Sequence, residues 1–182
     1  MAVETEFVWS KGSQKRERAE AYVECASPPC FMDEADPAYM GYLDNAELVD
    51  LLSRCLAYKR AAARGIMELG QRVSDLRARA VLRHVAGEEE RFCAMLAHHI
   101  GRLGGTPSTA VAEFYDKLHA LDACEAQFAL LDRAQDRVAV TLREALPKIS
   151  AALLHAILRE MLTAHERNMQ RVRALHASEG LS

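Results

Sequence analysis

The chain repeats a pattern of residues at a fixed offset of 76 positions. The stretch 81–85 (VLRHV) is matched by 157–161 (ILREM), and Arg91 is matched by Arg167. The offset also pairs apolar residues with apolar residues: Leu52 with Phe128, Ala62 with Val138, Ala63 with Ala139, Ile66 with Leu142 and Leu96 with Val172. Because these apolar positions recur at helical spacing within each copy, the sequence predicts two copies of one helical hairpin.

Composition restricts the class of protein. The chain has 182 residues, of which 50% are hydrophobic, so one domain can bury a core without disulfides. Its formal net charge is -3 with acids and bases interspersed, which predicts no nucleic-acid partner and no anionic membrane surface. No apolar run approaches the roughly 20 residues that span a bilayer, and the N-terminus lacks the basic and apolar regions of a signal peptide. A cytoplasmic protein with no membrane partner is expected.

The chain divides into an arm and a bundle. Residues 1–43 are predicted to form a proline-rich, mostly irregular N-terminal arm, because Pro28, Pro29 and Pro37 interrupt any long helix. Residues 44–178 are predicted to form four long helices: 44–69 with Gly70 ending the helix, 74–104, 120–145, and a last helix after Pro147. The predicted fold is all-α.

The links between the predicted helices indicate the topology. The first and last pairs are joined by short links, so each pair forms an antiparallel hairpin. The middle link, from 104 to about 118, is long enough to cross the bundle from end to end, with a short helix around 111–117. Two antiparallel hairpins joined by a long crossover make a ferritin-like four-helix bundle.

Four polar residues interrupt the apolar faces of these helices. Lys59, Glu89, Gln135 and His165 each have apolar neighbours at helical spacing on every side. The offset pairs Lys59 with Gln135 and Glu89 with His165. The four side chains are therefore predicted to meet in a buried polar centre.

This centre departs from the di-metal pattern of ferritin-like bundles. Such sites take a Glu from one helix of each hairpin and a Glu-x-x-His motif from the other. Three residues after Glu89 stands Phe92, and three residues after His165 stands Asn168. Neither is the required histidine, and Lys59 would place an ammonium group next to two cations. Two iron ions are therefore not expected.

Four motifs carry a resemblance to a known group: 58–63 (YKRAAA), 88–96 (EEERFCAML), 103–108 (LGGTPS) and 159–166 (REMLTAHE). With them, residues 40–178 resemble a family of uncharacterised ferritin-like bacterial proteins related to the rubrerythrin group. The resemblance implies a ferritin-like fold. It also implies a degenerate di-metal site, with Lys59 in place of a ligand glutamate and Phe92 in place of a ligand histidine.

The polar centre has three interpretations. The first is a buried Lys59–Glu89 ion pair completed by hydrogen bonds from Gln135 and His165. The second is a single Fe or Mn ion held by Glu89, His165 and one of Asp132, Glu90 or Glu166. The third is a nucleophile or base at Lys59 in a small-molecule pocket. The first is the prediction adopted, with no cofactor and no catalytic residue.

The predicted function follows from this centre. A non-catalytic ferritin-like bundle that acts as a structural or protein-interaction subunit is expected, as a homo-oligomer or as part of a complex. Aromatic side chains of the arm could anchor such a partner: Trp9, Tyr22, Phe31, Tyr39 and Tyr42. Cys25 and Cys30 are expected to be unpaired, with soft metal ligation or a redox pair as the alternative. The alternative function is an atypical metal-binding protein or metal-dependent oxidoreductase.

Overall fold

A computed structural model describes residues 40–179, with side chains to residue 177, and shows helices and no strand in that part of the chain. The helices are α1 (Asn45–Arg72), α2 (Leu76–Arg102), α3 (Phe114–His119), α4 (Cys124–Ala145) and α5 (Ala152–Glu179), with a short 3-10 turn at Leu146–Lys148. The all-helical prediction is confirmed for these residues. The predicted arm, except for residues 40–43, lies outside the described residues, and so do Cys25 and Cys30.

Capping side chains set the starts of the first two helices. The Asp44 carboxylate accepts a hydrogen bond from the Glu47 amide at 2.8 Å, and Glu47 returns one to the Asp44 amide, which completes a capping box. Asp75 caps α2 by accepting from the Ala78 amide at 2.7 Å. The expected end of α1 at Gly70 was wrong. Gly70 is buried opposite Leu82 and stays helical, so α1 continues to Arg72.

The long helices form two antiparallel hairpins, α1 with α2 and α4 with α5. At one end of the first hairpin Gly70 of α1 faces Leu82 of α2, and at the other end Val49 lies against Gly105, just beyond α2. In the second hairpin, contacts between α4 and α5 also occur in reverse order along the chain, from Phe128 with His176 to Arg143 with Glu166. The long helices also pack α1 against α4 and α2 against α5.

The link between α2 and α4 runs along α1. It begins near the start of α1 at Gly105, and the Ala112 amide then donates to the Ala57 carbonyl at 3.2 Å. It reaches the far end of α1 at Asp122, whose carbonyl accepts from the Arg72 guanidinium. Within this link, α3 buries Leu118 against the bare Cα of Gly65, where a larger residue would collide with the leucine side chain.

The apolar core has two parts, one on each side of the predicted polar centre. One part is centred on α1 and α2 residues such as Leu52 and Leu96, and the other on residues such as Ile66 and Leu82. The α1 residues that recur at helical spacing on its inward face are all buried: Leu48, Leu52, Cys55, Lys59, Ala62 and Ile66. No helix within residues 40–179 is long and apolar enough to cross a membrane.

Candidate functional site

Three of the four predicted polar residues meet at the centre of the bundle. The Lys59 ammonium lies 2.9 Å from Glu89 Oε1 and 2.8 Å from Glu89 Oε2, so it bonds to one oxygen and pairs with both. It also lies 2.6 Å from His165 Nδ1. All three side chains are 0% exposed. Helices α1, α2 and α5 thus each contribute one side chain to a closed network.

The contacts of His165 define its hydrogen-bonding role. Its Nε2 lies 3.0 Å from the backbone carbonyl oxygen of Gln135, and a carbonyl oxygen only accepts hydrogen bonds. The Nε2–H group must therefore donate to Gln135. The neutral ring then leaves Nδ1 free to accept from the Lys59 ammonium. In this arrangement the lysine and the glutamate carry opposite charges and the imidazole carries none.

Gln135 contributes its backbone in place of its side chain. A hydrogen bond from the Gln135 side chain was expected, but neither Oε1 nor Nε2 has a hydrogen-bond partner within the described residues. The side chain is nevertheless 1% exposed. That part of the prediction was wrong, because the His165 ring reaches the α4 backbone instead. Asn168, one turn beyond His165, is also buried and leaves Nδ2 without a hydrogen-bond partner.

Phe92 has a role that the sequence reasoning missed. The Lys59 ammonium lies 5.5 Å from the centroid of the Phe92 ring, within range for a cation–π interaction. Phe92 was interpreted only as the loss of a ligand histidine. The signal was present in the sequence: Phe92 is three residues after Glu89, so both face the same buried lysine. The aromatic face therefore adds a further stabilising contact to the ammonium.

The pKa of the Glu89 carboxyl is lowered from its ordinary value. Burial is the largest single influence and raises this pKa, but the adjacent Lys59 ammonium stabilises the ionised carboxylate, and the net shift of the pKa is downward. Glu89 is therefore ionised at neutral pH. An ionised carboxylate beside an ammonium makes a charge-balanced pair, and removing either partner would strongly destabilise the folded protein.

Stability should consequently fall in acid. A carboxyl whose pKa is lower in the folded state contributes stability that is present above its unfolded pKa, about 4.3, and lost as pH falls through the folded pKa. We expect the free energy of unfolding to fall below about pH 4.3. The variant Lys59→Met/Glu89→Leu should show a shallower decline, because it lacks this carboxyl. Urea unfolding of both proteins between pH 2.5 and 7 measures the difference, and identical slopes would contradict the role of Glu89.

The other candidate metal ligands point elsewhere. Asp132 accepts a hydrogen bond from Arg173 at 2.7 Å, and Glu166 accepts from Arg143 at 3.1 Å, both on the exposed side of the α4–α5 hairpin. Glu90 is exposed. No group of three His, Cys, Asp or Glu side chains among the described residues is arranged to hold a metal ion. The structure thus brings Glu89 and His165 together without a third acidic or imidazole ligand.

Two cysteines close to the centre have thiol pKa values above the ordinary range. Burial raises the pKa of the Cys55 thiol to about 11, and burial likewise raises the pKa of Cys93 to about 11. Both thiols are therefore protonated at neutral pH, when a reactive cysteine would be a thiolate. Cys55, Cys93 and Cys124 are all free.

The family of the chain follows from comparison with known proteins. The model of the DUF6306 family, described as a domain of unknown function, matches residues 46–174. The chain belongs to this family. The match covers all of α1 except its first residue, all of α2 to α4, and most of α5, so the DUF6306 domain includes Lys59, Glu89, Gln135 and His165.

A solved structure identifies the fold of this DUF6306 domain. It is a crystal structure from Anabaena variabilis of a two-domain protein containing DJ-1/ThiJ/PfpI-like and ferritin-like domains. The TM-score is 0.61 at 16% sequence identity, and the match covers 86% of this chain but 45% of the other. The chain therefore spans less than half the length of that protein. A search of curated proteins finds no match. The prediction of an uncharacterised ferritin-like family is confirmed.

Proposed function

We propose that this DUF6306 chain is a non-catalytic descendant of rubrerythrin-type bundles that acts as a structural or protein-interaction subunit. The observation that carries the proposal is the position of the Lys59 ammonium, within 2.9 Å of both Glu89 and His165. A lysine here acts as a built-in cation. It occupies the carboxylate and the imidazole that would otherwise ligate a metal, and its charge opposes the entry of another cation.

Charge balance supports a structural role. The centre contains one ammonium, one carboxylate and a neutral imidazole, so no charge is left for a metal to compensate. Breaking a buried ion pair by removing one partner is costly, because it leaves the other charge buried without compensation. The three side chains join α1, α2 and α5. We infer that the network holds both hairpins in register.

The arrangement of the hairpins supports descent from a duplicated di-metal hairpin. Helix α5 begins 76 positions after α2, and the same offset relates Lys59 to Gln135 and Glu89 to His165. The four residues thus stand at equivalent positions of two similar hairpins, where a ferritin-like bundle carries metal ligands. In this proposal the original di-metal site has become a polar network.

A role in protein interaction agrees with two further features. A groove of about 560 Å³ between α1 and α4 combines apolar side chains such as Tyr58 and Val140 with the charged side chains of Arg54, Arg137 and Glu144. The similar protein of Anabaena variabilis joins a ferritin-like domain to a second domain in one chain. We propose that the present chain works in the cytoplasm as a homo-oligomer or as a subunit of a complex.

The alternative function is an atypical metal-binding protein or metal-dependent oxidoreductase. Glu89 and His165 supply a carboxylate and an imidazole, which suit a single Fe or Mn ion. Such an ion would need the Lys59 ammonium to leave. It would also need Asp132 or Glu166 to exchange its arginine for the metal.

Metal analysis separates the two functions. For protein purified without added metal, we expect iron, manganese and zinc far below one ion per chain. We also expect a chelator to leave the melting temperature unchanged. A metal ion bound to the folded protein would raise the melting temperature, so its removal by the chelator would lower it. His165→Ala is the matched control. Stoichiometric iron or manganese in the wild type that is lost in this variant would contradict the non-catalytic proposal.

A further inference from the structure

Two buried amide side chains next to the polar centre make too few hydrogen bonds. Both polar atoms of the Gln135 side chain and the Nδ2 atom of Asn168 have no hydrogen-bond partner among residues 40–179, although both residues are 1% exposed. Buried amide groups in folded proteins are nearly always paired, either with protein groups or with a bound molecule. The polar centre itself uses neither amide.

A second glutamine of the same helix shows how this chain normally treats a buried amide. Gln127 Oε1 accepts from Arg72 at 2.8 Å, and its Nε2 donates to the Leu118 carbonyl at 3.1 Å and to the Leu121 carbonyl. Gln127 is thus fully paired at 7% exposure. Gln135 lies two turns later on α4 and is buried more deeply. Neither polar atom of its side chain has a hydrogen-bond partner within the described residues.

The two unpaired amides lie on facing helices at the same level of the bundle. The His165 ring of α5 donates to the Gln135 backbone on α4, and Asn168 follows His165 by three residues, so it lies on the same side of α5. A groove of about 220 Å³ between α4 and α5 has His165 in its wall, together with Ala139 and Met169. Gln135 and Asn168 directly precede Asp136 and Met169, which both line this groove.

We propose that Gln135 and Asn168 form a binding site for a small neutral molecule that is rich in hydrogen-bond acceptors. The two amide nitrogens supply donors, and Gln135 Oε1 needs one donor in return. A neutral molecule fits because Lys59 and Glu89 already balance each other, and a further buried charge would have no partner. Water has this chemistry, and so does a small solute such as a short amide.

Two samples of the full chain distinguish the sources of this molecule. One is purified in the native state, and the other is unfolded in guanidinium chloride, dialysed and refolded in buffer. We expect electron density within hydrogen-bonding distance of the Gln135 and Asn168 amides in the native sample. Density that survives refolding identifies water. Density that is lost, with a matching mass difference in native mass spectrometry, identifies a solute from the cell.

Substitution gives a second test, which combines thermal unfolding with crystallography. In natively purified protein we expect Gln135→Met to lower the melting temperature and to remove the density, because the bound molecule loses its main partner. Gln127→Met is the matched control. It should lower the melting temperature because the Arg72 guanidinium and the Leu118 carbonyl lose their hydrogen bonds to Gln127. An unchanged or higher melting temperature for Gln135→Met would overturn the proposal, since removing a truly unpaired buried amide stabilises a protein. Amides bonded directly to each other in the crystal would also overturn it.

Discussion

Replacing Lys59 with methionine should cost about 3–5 kcal/mol of unfolding free energy, because it leaves the Glu89 carboxylate buried without its cation. The double variant Lys59→Met/Glu89→Leu should recover most of this loss and come close to the wild type. Replacing both partners of a buried pair with apolar groups of similar size is often neutral or stabilising. Urea unfolding followed by circular dichroism at pH 7 measures all three free energies.

An exposed ion pair of the same protein provides the control. Arg143 and Glu166 also link two helices, but their side chains are 57% and 39% exposed. The variants Arg143→Met, Glu166→Leu and their combination should each change the free energy of unfolding by about 1 kcal/mol or less, with little coupling. The single variant Glu89→Leu completes the buried cycle: if its loss and that of Lys59→Met added up to the loss of the double variant, Lys59 and Glu89 would not act as a unit.

Removing the His165 ring should have the second largest effect. His165→Leu takes an acceptor from the buried Lys59 ammonium and a donor from the Gln135 carbonyl, and we expect it to cost about 2–5 kcal/mol. Two polar substitutions separate the bonds. An asparagine places an oxygen near the position of Nδ1 and can accept from Lys59, whereas a glutamine places a nitrogen near the position of Nε2 and can donate to Gln135.

The expected order of stability is asparagine above glutamine above leucine at position 165. A hydrogen bond to a charged group contributes about 1.5–3 kcal/mol, whereas one between neutral groups contributes about 0.5–1.5 kcal/mol, so the bond to the ammonium matters more. The half-buried His155 of α5 is the control, where the same three substitutions should differ by about 0.5 kcal/mol or less. Equal losses for all three variants at position 165 would show that packing of the ring, not its two hydrogen bonds, stabilises the bundle.

The helices could be predicted from the sequence because each depends on local patterns. Asp44 and Asp75 are capping residues that precede long apolar periodicities, and both helices start beside them. The end of α1 could not be predicted as well. Gly70 is a helix-ending signal in isolation, but its burial opposite Leu82 depends on packing against α2, which comes later in the sequence.

The central pair could be predicted from the sequence for a related reason. Lys59 and Glu89 are each surrounded by apolar residues at helical spacing. Because a buried charge is costly unless it is paired, two such residues of opposite sign are expected to form an ion pair. The direction of the Gln135 side chain could not be predicted, since its backbone contact with His165 depends on the distance between α4 and α5. The hydrogen bond between Asp132 and Arg173 could not be predicted either, because the two residues lie 41 positions apart on different helices.

The most direct test of a lysine in place of a metal is one high-resolution crystal structure with anomalous diffraction data collected at the iron and manganese edges. We expect no anomalous peak at the bundle centre and a Lys59 nitrogen within hydrogen-bonding distance of Glu89 and His165. An anomalous peak coordinated by Glu89 and His165, with the Lys59 side chain turned away, would contradict it.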